Sequence, residues 1–595
     1  MITITKSLFV DYCEFPKLAW WKHNDLNIYN KIMGLEDEES SEQLIELGQK
    51  VEDLIGNYFL KVHSLSRLDV FKDNNEKNPL NEEDEDIRLV QETYKEKRDR
   101  NIKATIEAIK NKEKLIYQPG FLIDGLFIRG DYLKLNQNGK YDLIEVKAKT
   151  GVRKDKIFKK VKNKNTGNLE NRFLSDMSFQ KYVINKVLKS EGLEELNNYY
   201  YAYLNSDYKK NGDIELEKIV VLDQVDIEKI VILKAEDDEK EETIQDYLTN
   251  SVIIEEKIKL IRNELILSEE EFNRIHPFSG SKSLEYFGID RQFGTIFGKG
   301  LSHQSAVRTL YYNNKLKLDS LDLEDKNLFN TTSGEEGSAR KYIENYFKAK
   351  NEGDLIYKNA IEGEFVNFRY PICFYDYESC SVPIPFLNGV TPYQHAVVQY
   401  SLHKVYEDGK IEHFGGVLVG VGDRNVEKME IEHNENKVDF ESEKIITGGY
   451  KDLIEEFLND IGDDLDKTFI VWYSPFENTR NKEIAETFPE FRESFELINT
   501  NTYDLMDIFK KGYYYSLDFK GSNSIKYVLP ALIPEMSYDG MEVPNGLVAM
   551  QVLNQIISGE IQGKEKEKQI KNLLLYCGQD SLAMYKIYEK IKEIF

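Results

Sequence analysis

The chain reads as an α/β protein with two cores, one towards each end, joined by a mainly helical stretch. Three observations predict this. A length of 595 residues exceeds what a single hydrophobic core spans, so two or three domains are expected. Strand-like apolar runs punctuated by turn residues occur twice, around 115–149 and 370–422, each accompanied by helical periodicity. Hydrophobic residues at 41% and aromatics at 12% suit packed domains, so the 31% charged residues belong to solvated faces and insertions rather than to disorder.

The elements follow in order. Residues 41–60 carry apolar positions at helical spacing, with Ser41 placed as an N-cap. The strongly charged stretch 81–111 reads as an exposed helix. From Leu115 the period changes: LIYQPGFLIDGLFIRGDYLKL, then Gly139, then YDLIEVKAK give successive strands. A helix over 175–192 is closed by Gly192, and NNYYYAYLN adds an aromatic-rich strand. Residues 207–365 form the connecting region, with a strand-like IVVL, acidic runs and helical stretches. A second pattern begins at Asn367 and runs through YPICFYDYES, QHAVVQYSLHKVY and HFGGVLVGVG. A helix at 451–461, the strand TFIVWYS and a closing helix over 568–594 complete it. The expected domains are therefore 1–206, 207–365 and 366–595.

No run approaches the ~18 apolar residues that cross a bilayer, and the N-terminus lacks a secretory pattern. The four cysteines, Cys13, Cys373, Cys380 and Cys577, show no paired spacing, which favours a cytoplasmic location over a disulfide scaffold. The net charge of −26 argues against a protein that coats duplex DNA, yet phosphate contacts depend on local patches and on bound cations. One such patch is the basic run from Lys147 to Lys164, which includes Lys149, Arg153 and Lys154 and follows directly on a candidate catalytic strand.

In the first core, Asp131 opens a strand after Gly130. Glu145 and Lys147, two apart in LIEVK, share one face while Ile144 and Val146 take the other. Two carboxylates on neighbouring strands hold a hard divalent cation through oxygen, and the lysine orients a water or stabilises developing negative charge. Acids and lysines alternate on many amphipathic strands; the apolar framing, the turn spacing and the following helix with Gln180 make this set more specific. Together they resemble the PD-(D/E)XK nuclease superfamily in its RecB-like branch, over roughly residues 1–206. The resemblance implies Asp131 and Glu145 as metal ligands, Lys147 as the catalytic lysine and Gln180 as a helix-borne contact to nucleic acid. That branch often has a histidine where GQKVE ends in Glu52, and whether Glu52 replaces it as a ligand stays open. The helix motif departs as well, with Ile184 where a tyrosine is usual and Tyr182 out of register. Cys13 resembles the first cysteine of relatives that bind an iron–sulfur cluster, but PFSGSKSLEYFG supplies no later partners, so no cluster is expected.

In the second core, Asp376 and Glu378 project from one strand face, roughly 7 Å apart. Two such carboxylates repel unless a shared cation removes the penalty. In the final helix Tyr576 and Asp580 lie at i and i+4 and share a face. DxE upstream and YxxxD about 200 residues downstream resemble the DEDDy exonucleases of the DnaQ-like, ribonuclease H-fold group. That likeness implies Asp376, Glu378 and Asp580 as ligands of two Mg²⁺ or Mn²⁺ ions and Tyr576 as a catalytic phenol. The aspartate expected after TFIVWYS is absent, and Glu477 is assigned its place; Asp504 fits a structural helix start better. The stretches P392-Y393-Q394, Q399-Y-S-L-H403 and 521–530 resemble the family named domain of unknown function 2779, in which both cores occur in one chain. There Lys526 is a candidate phosphate contact, and His403 is left outside the catalytic set. The expected activity is Mg²⁺- or Mn²⁺-dependent hydrolysis of nucleic-acid phosphodiesters, DNA rather than RNA, in repair, processing or defence. The alternatives are an RNA-processing exonuclease, or a nucleic-acid-binding scaffold in which one or both sites have decayed.

Overall fold

The computed structural model describes residues 2–33, 38–71, 93–150, 167–225, 230–234, 239–243, 251–276, 309–310, 313–315, 317, 320–328, 339–429, 439–440, 443–536, 542–543 and 546–594. Arg153, Lys154 and most of the basic run, the first part of the charged 81–111 stretch and the PFSGSKSLEYFG segment lie outside them. The protein is mixed α/β, and its described elements fall into two compact units, one holding those up to Ile275 and the other those from Leu323 onward.

The first unit is built on a six-stranded mixed sheet. Its order is Arg67–Asp69, Leu115–Tyr117, Tyr132–Leu135, Tyr141–Thr150, Tyr199–Leu204, Val220–Gln224. Tyr141–Thr150 runs antiparallel to Tyr132–Leu135 and parallel to Tyr199–Leu204. The run expected to give consecutive strands is divided: Gly120–Ile123 and Leu126–Arg129 leave this sheet and join Ile4–Thr5 in a separate three-stranded one. Three helices that the sequence reading did not place, Lys6–Glu14, Pro16–Asn24 and Leu26–Met33, follow that first strand. The Gly167–Ser190 helix meets the main sheet through Phe173 against Tyr201, 6.1 Å between ring centroids, and carries Phe179, stacked on Phe9 at 4.4 Å. Helices Ser251–Glu264 and Glu269–Ile275 pack within this same unit, the Tyr12 hydroxyl donating to Glu264. Part of the expected connector therefore completes the first core. The charged stretch is helical over Tyr94–Lys110, where Thr93 and Glu96 form a reciprocal cap.

The second unit carries a larger mixed sheet in the order Asn425–Met429, Glu443–Gly448, Ile411–Val421, Ala396–Val405, Ile372–Cys380, Phe469–Val471, Thr502–Asp504. Ile372–Cys380 lies at its centre, antiparallel to Ala396–Val405 and parallel to Phe469–Val471. The two faces of this strand are buried differently. Tyr375 and Tyr377 pack on Phe457 of the Tyr450–Ile461 helix, at 5.7 and 5.1 Å between ring centroids. Phe374, on the opposite face, meets Tyr585 and Tyr588 of the final helix, Gly563–Lys592, at 5.7 and 5.6 Å. Alternation along the strand therefore directs Asp376 and Glu378 towards that 30-residue helix.

Candidate metal centres

The second unit holds the tighter acidic cluster. Carboxylate oxygens of Asp376, Glu378 and Asp580 all lie within 4.8 Å of one another. Three contacts pin the final helix in the register this requires. Gln399 Nε2 donates to the Leu573 carbonyl at 2.8 Å, one turn before Tyr576. Ser581 Oγ lies 2.6 Å from Ser401 Oγ and 2.8 Å from His403 Nδ1, immediately after Asp580. Phe374 against Tyr585 and Tyr588 closes the far end. Ser401 sits opposite Asp376 across the strand pair, and Gln399 opposite Glu378. The pairing shifts by one residue just past Glu378, an irregularity of the kind that re-aims side chains beside functional sites.

Electrostatics sets this cluster apart from an ordinary buried polar network. Burial, then Asp580, Glu378 and Glu477, push the Asp376 carboxyl far above the usual carboxylate range, so the charged groups acting on it are all acids. Burial and Asp580 do the same to Glu378, opposed in part by Lys526. Tyr576 is driven strongly upward by burial and by Asp580, Glu378 and Asp376, which keeps its phenol protonated as a donor. The Cys577 thiol, pushed well up by burial and Asp376, lies 4.0 Å from Asp376 Oδ2.

Glu477 is close by without being one of the three. It sits in the first turn of the Ser474–Thr487 helix, 2% exposed, and burial raises its carboxyl to about 8, with further upward pushes from Asp504 and Asp580. Its Oε2 is buried without a hydrogen-bond partner. The helix leaves the Phe469–Val471 strand through Tyr473, whose φ of +79° is left-handed. Asp504 holds that turn, accepting from the backbone N–H groups of Tyr473 and Ser474 at 2.9 and 3.0 Å and of Met506 at 3.2 Å. Converging oxygen donors, repelling one another and including an orphaned carboxylate oxygen, fit a hard divalent cation of the Mg²⁺ or Mn²⁺ class.

In the first unit Tyr132 pairs with Ile144, so the register brings Asp131 beside Glu145. Asp131 Oδ2 accepts the Val146 N–H at 2.6 Å, and burial with Glu145 raises its carboxyl well above the usual range. Glu145 is 3% exposed and behaves oppositely. Burial alone would raise it, but Lys147 and Lys6, at 2.9 and 2.8 Å from its Oε1, hold it far below the ordinary value. Gln180 Nε2 donates both to Glu145 Oε2 and to Asp176 Oδ1 at 2.8 Å, and Lys147 reaches Asp176 Oδ2 at 2.7 Å. Glu52 acts on Asp131 through its charge while accepting from the Tyr117 hydroxyl at 2.8 Å. Lys149 is exposed, its Nζ 5.3 Å from the Phe173 ring centroid. Tyr182 turns away to Glu255, and Cys13 is half-buried with a thiol raised by burial.

Sequence reasoning missed Lys6 and Asp176. Asp176 precedes Gln180 by one helical turn, a same-face signal that was available. Lys6 carries no such signal, because only the tertiary fold brings it to a residue 139 positions away. Also missed was the buried set behind the second cluster. His413 stacks on His403 at 4.2 Å between ring centroids, and its Nδ1 is 3.6 Å from Glu443 Oε1.

The chain is 27% identical over 263 residues to the Uncharacterized protein UU173 of Ureaplasma parvum serovar 3, a match covering 41% of this chain. It covers 34% of that protein, so the chain spans about a third of the relative it matches. No solved structure matches the chain significantly. A family model aligns from Cys373, in the strand that bears Asp376 and Glu378, to Ser524 beside Lys526. That model is described as Domain of unknown function (DUF2779), and it matches residues 373–524 of this chain.

Proposed function

We propose that the chain is a divalent-metal-dependent nuclease that hydrolyses nucleic-acid phosphodiesters, with DNA as the preferred substrate, through two separate centres. The observation that carries this reading is the Asp376–Glu378–Asp580 trio, within 4.8 Å of one another, Glu378 buried and the two aspartates half-buried between a central strand and a pinned helix. Leaving such groups mutually unneutralised is costly; two unit charges at that spacing repel by about 3 to 4 kcal/mol at an effective dielectric of about 20. The second unit is read as a ribonuclease H-like, DEDDy-type core that trims from a free three-prime end. Its acid-bearing strand, flanked antiparallel on one side and parallel on the other, supports that reading. The first unit is read as a PD-(D/E)XK, RecB-like core, supported by Asp131, Glu145 and Lys147 meeting where the two central strands of its sheet adjoin.

Asp376, Glu378 and Asp580, with Glu477 beside them, would hold Mg²⁺ or Mn²⁺ in the second unit; Asp131 and Glu145 would hold it in the first. Such a cation polarises the phosphodiester and lowers the pKa of a bound water. The chain's own groups do the rest. Tyr576, kept protonated, donates a hydrogen bond to the attacking water, and Lys526 meets substrate phosphate beside Glu378. In the first unit Lys147 offers its ammonium to negative charge developing on the phosphate, while Gln180 orients Glu145.

The test is hydrolysis of end-labelled single- and double-stranded DNA and RNA in Mg²⁺, Mn²⁺ or chelator, with Asp376→Ala and Glu145→Ala beside the parent. Each substitution is expected to remove a separable activity, and chelator to remove both. Cleavage indifferent to both substitutions and to chelator would overturn the reading.

A further inference from the structure

Lys6 stands in the first centre without a part in the proposed reaction. It is anchored from two directions. Ile4–Thr5 pairs with Leu126–Phe127 on one side, and Thr5 caps the Lys6–Glu14 helix by accepting from the Leu8 N–H at 3.2 Å. Phe9, one turn on, is stacked on Phe179 of the helix that supplies Gln180 and Asp176. From that position Lys6 Nζ sits 2.8 Å from Glu145 Oε1 and 3.8 Å from Asp176 Oδ1, with 26% of its side chain still exposed. Lys147 Nζ approaches the same Glu145 oxygen at 2.9 Å. Two ammonium groups thus share one carboxylate oxygen, although a single lysine would satisfy it.

Charge counting gives the second ammonium a purpose. The centre sets four carboxylates, Asp131, Glu145, Asp176 and the Glu52 that acts on Asp131, against two ammonium groups, Lys6 and Lys147. With a divalent cation on Asp131 and Glu145 this balance reaches neutrality, which lets a phosphodiester approach. Without Lys6 it stays negative. An ammonium has three donors, and neutralising Glu145 releases the one that Lys6 spends there, in a side chain that reaches solvent.

Resting on the nuclease reading above, we infer that Lys6 is a phosphate-binding residue of the first centre, held in reserve on Glu145 until a divalent cation takes that carboxylate. The two roles have opposite signs. As a counter-ion Lys6 competes with the metal, so its loss tightens metal binding; as a phosphate ligand it recruits substrate, so its loss weakens nucleic-acid binding. A residue that merely anchored Glu145 would weaken both when removed.

The experiment uses the full chain carrying Asp376→Asn and Asp580→Asn, so that Mn²⁺ uptake reports the first centre alone. Free Mn²⁺ is followed by electron paramagnetic resonance, and a fluorescent DNA oligonucleotide is titrated by anisotropy in Ca²⁺ at fixed salt. For Lys6→Met the Mn²⁺ Kd is expected to fall, and the DNA Kd to rise, by roughly ten- to a hundredfold, the scale of one charged hydrogen bond. Lys6→Arg, which keeps the charge, is expected to stay near the parent in both. Lys6→Met weakening both ligands together, or leaving either unchanged, would overturn the role given to Lys6, as would an Lys6→Arg chain that behaves like Lys6→Met. Glu145→Ala in the same background separates this from the underlying reading. If it leaves Mn²⁺ uptake intact, the first centre is not a metal site at all. If it abolishes uptake while Lys6→Met fails to split the two affinities, only the role of Lys6 falls.

Discussion

Replacing Glu477 by glutamine removes a carboxyl that the fold can ionise only at a cost. The side chain is 2% exposed, its Oε2 lacks a partner, and burial with the neighbouring acids raises its carboxyl from 4.5 to about 8. A carboxyl raised on folding contributes no penalty below its unfolded value and destabilises increasingly as pH climbs towards its folded value. At ~1.4 kcal/mol per pH unit, the metal-free protein loses about 3 kcal/mol by pH 7 and about 5 kcal/mol above pH 8. Glutamine is nearly isosteric and does not titrate, so Glu477→Gln escapes this slope. The assay is urea unfolding in chelator at pH 5, 7 and 8.5. Replacing Trp20 and Trp21 by Phe leaves Trp472 as the chain's single tryptophan, reporting the second unit. The variant should match the parent near pH 5 and exceed it progressively above. Saturating Mn²⁺, at ~100-fold over its Kd, should return about 2.7 kcal/mol to the parent and less to the variant. A difference that stays constant with pH, or a variant that weakens at high pH as steeply as the parent, would refute the reasoning.

Other expectations follow from the same geometry. Because Asp376 and Glu378 hold protons well above the carboxylate range, Mn²⁺ binding to the second centre should release protons and tighten from pH 6 to 8; calorimetry in buffers of different ionisation enthalpy would show no proton release if this is wrong. Gly416→Ala should destabilise by about 1 to 3 kcal/mol, since a Cβ there would lie 2.5 Å from Cε1 of the buried Tyr400 ring; an unchanged melting temperature would contradict it. Asp504→Ala strips acceptors from the N–H groups of Tyr473, Ser474 and Met506 and should cost about 2 to 4 kcal/mol in urea unfolding. Tyr473→Gly should instead stabilise by about 1 kcal/mol, because glycine adopts the left-handed conformation without strain.

The parts of the centres legible in the sequence are those set by local periodicity. Asp376 and Glu378 share a strand face, Tyr576 and Asp580 share a helix face, and Glu145 and Lys147 sit two apart; each relation follows from repeats of 2 and ~3.6. The strand-to-helix order of both cores was legible for the same reason. The reading missed what depends on distance in sequence. Nothing near Lys6 announces Glu145, 139 residues on. The division of 115–135 between two sheets depends on Ile4–Thr5 pairing with Leu126–Phe127, which no local pattern encodes. The Ser251–Glu264 helix was assigned to a connector because its amphipathic face does not reveal which core it covers. Glu477 was found by position after a strand, but its burial and orphaned oxygen emerged only from the packing around it.

The most direct test of the account is whether the trio in the second unit takes up a divalent cation. Crystals soaked in Mn²⁺ should give an anomalous difference peak within about 2 to 2.6 Å of carboxylate oxygens from Asp376, Glu378 and Asp580, the range of hard-cation coordination. The peak should be lost in Asp376→Asn. Full Mn²⁺ occupancy elsewhere in the unit with nothing at these three side chains, or a peak that survives Asp376→Asn unchanged, would contradict it.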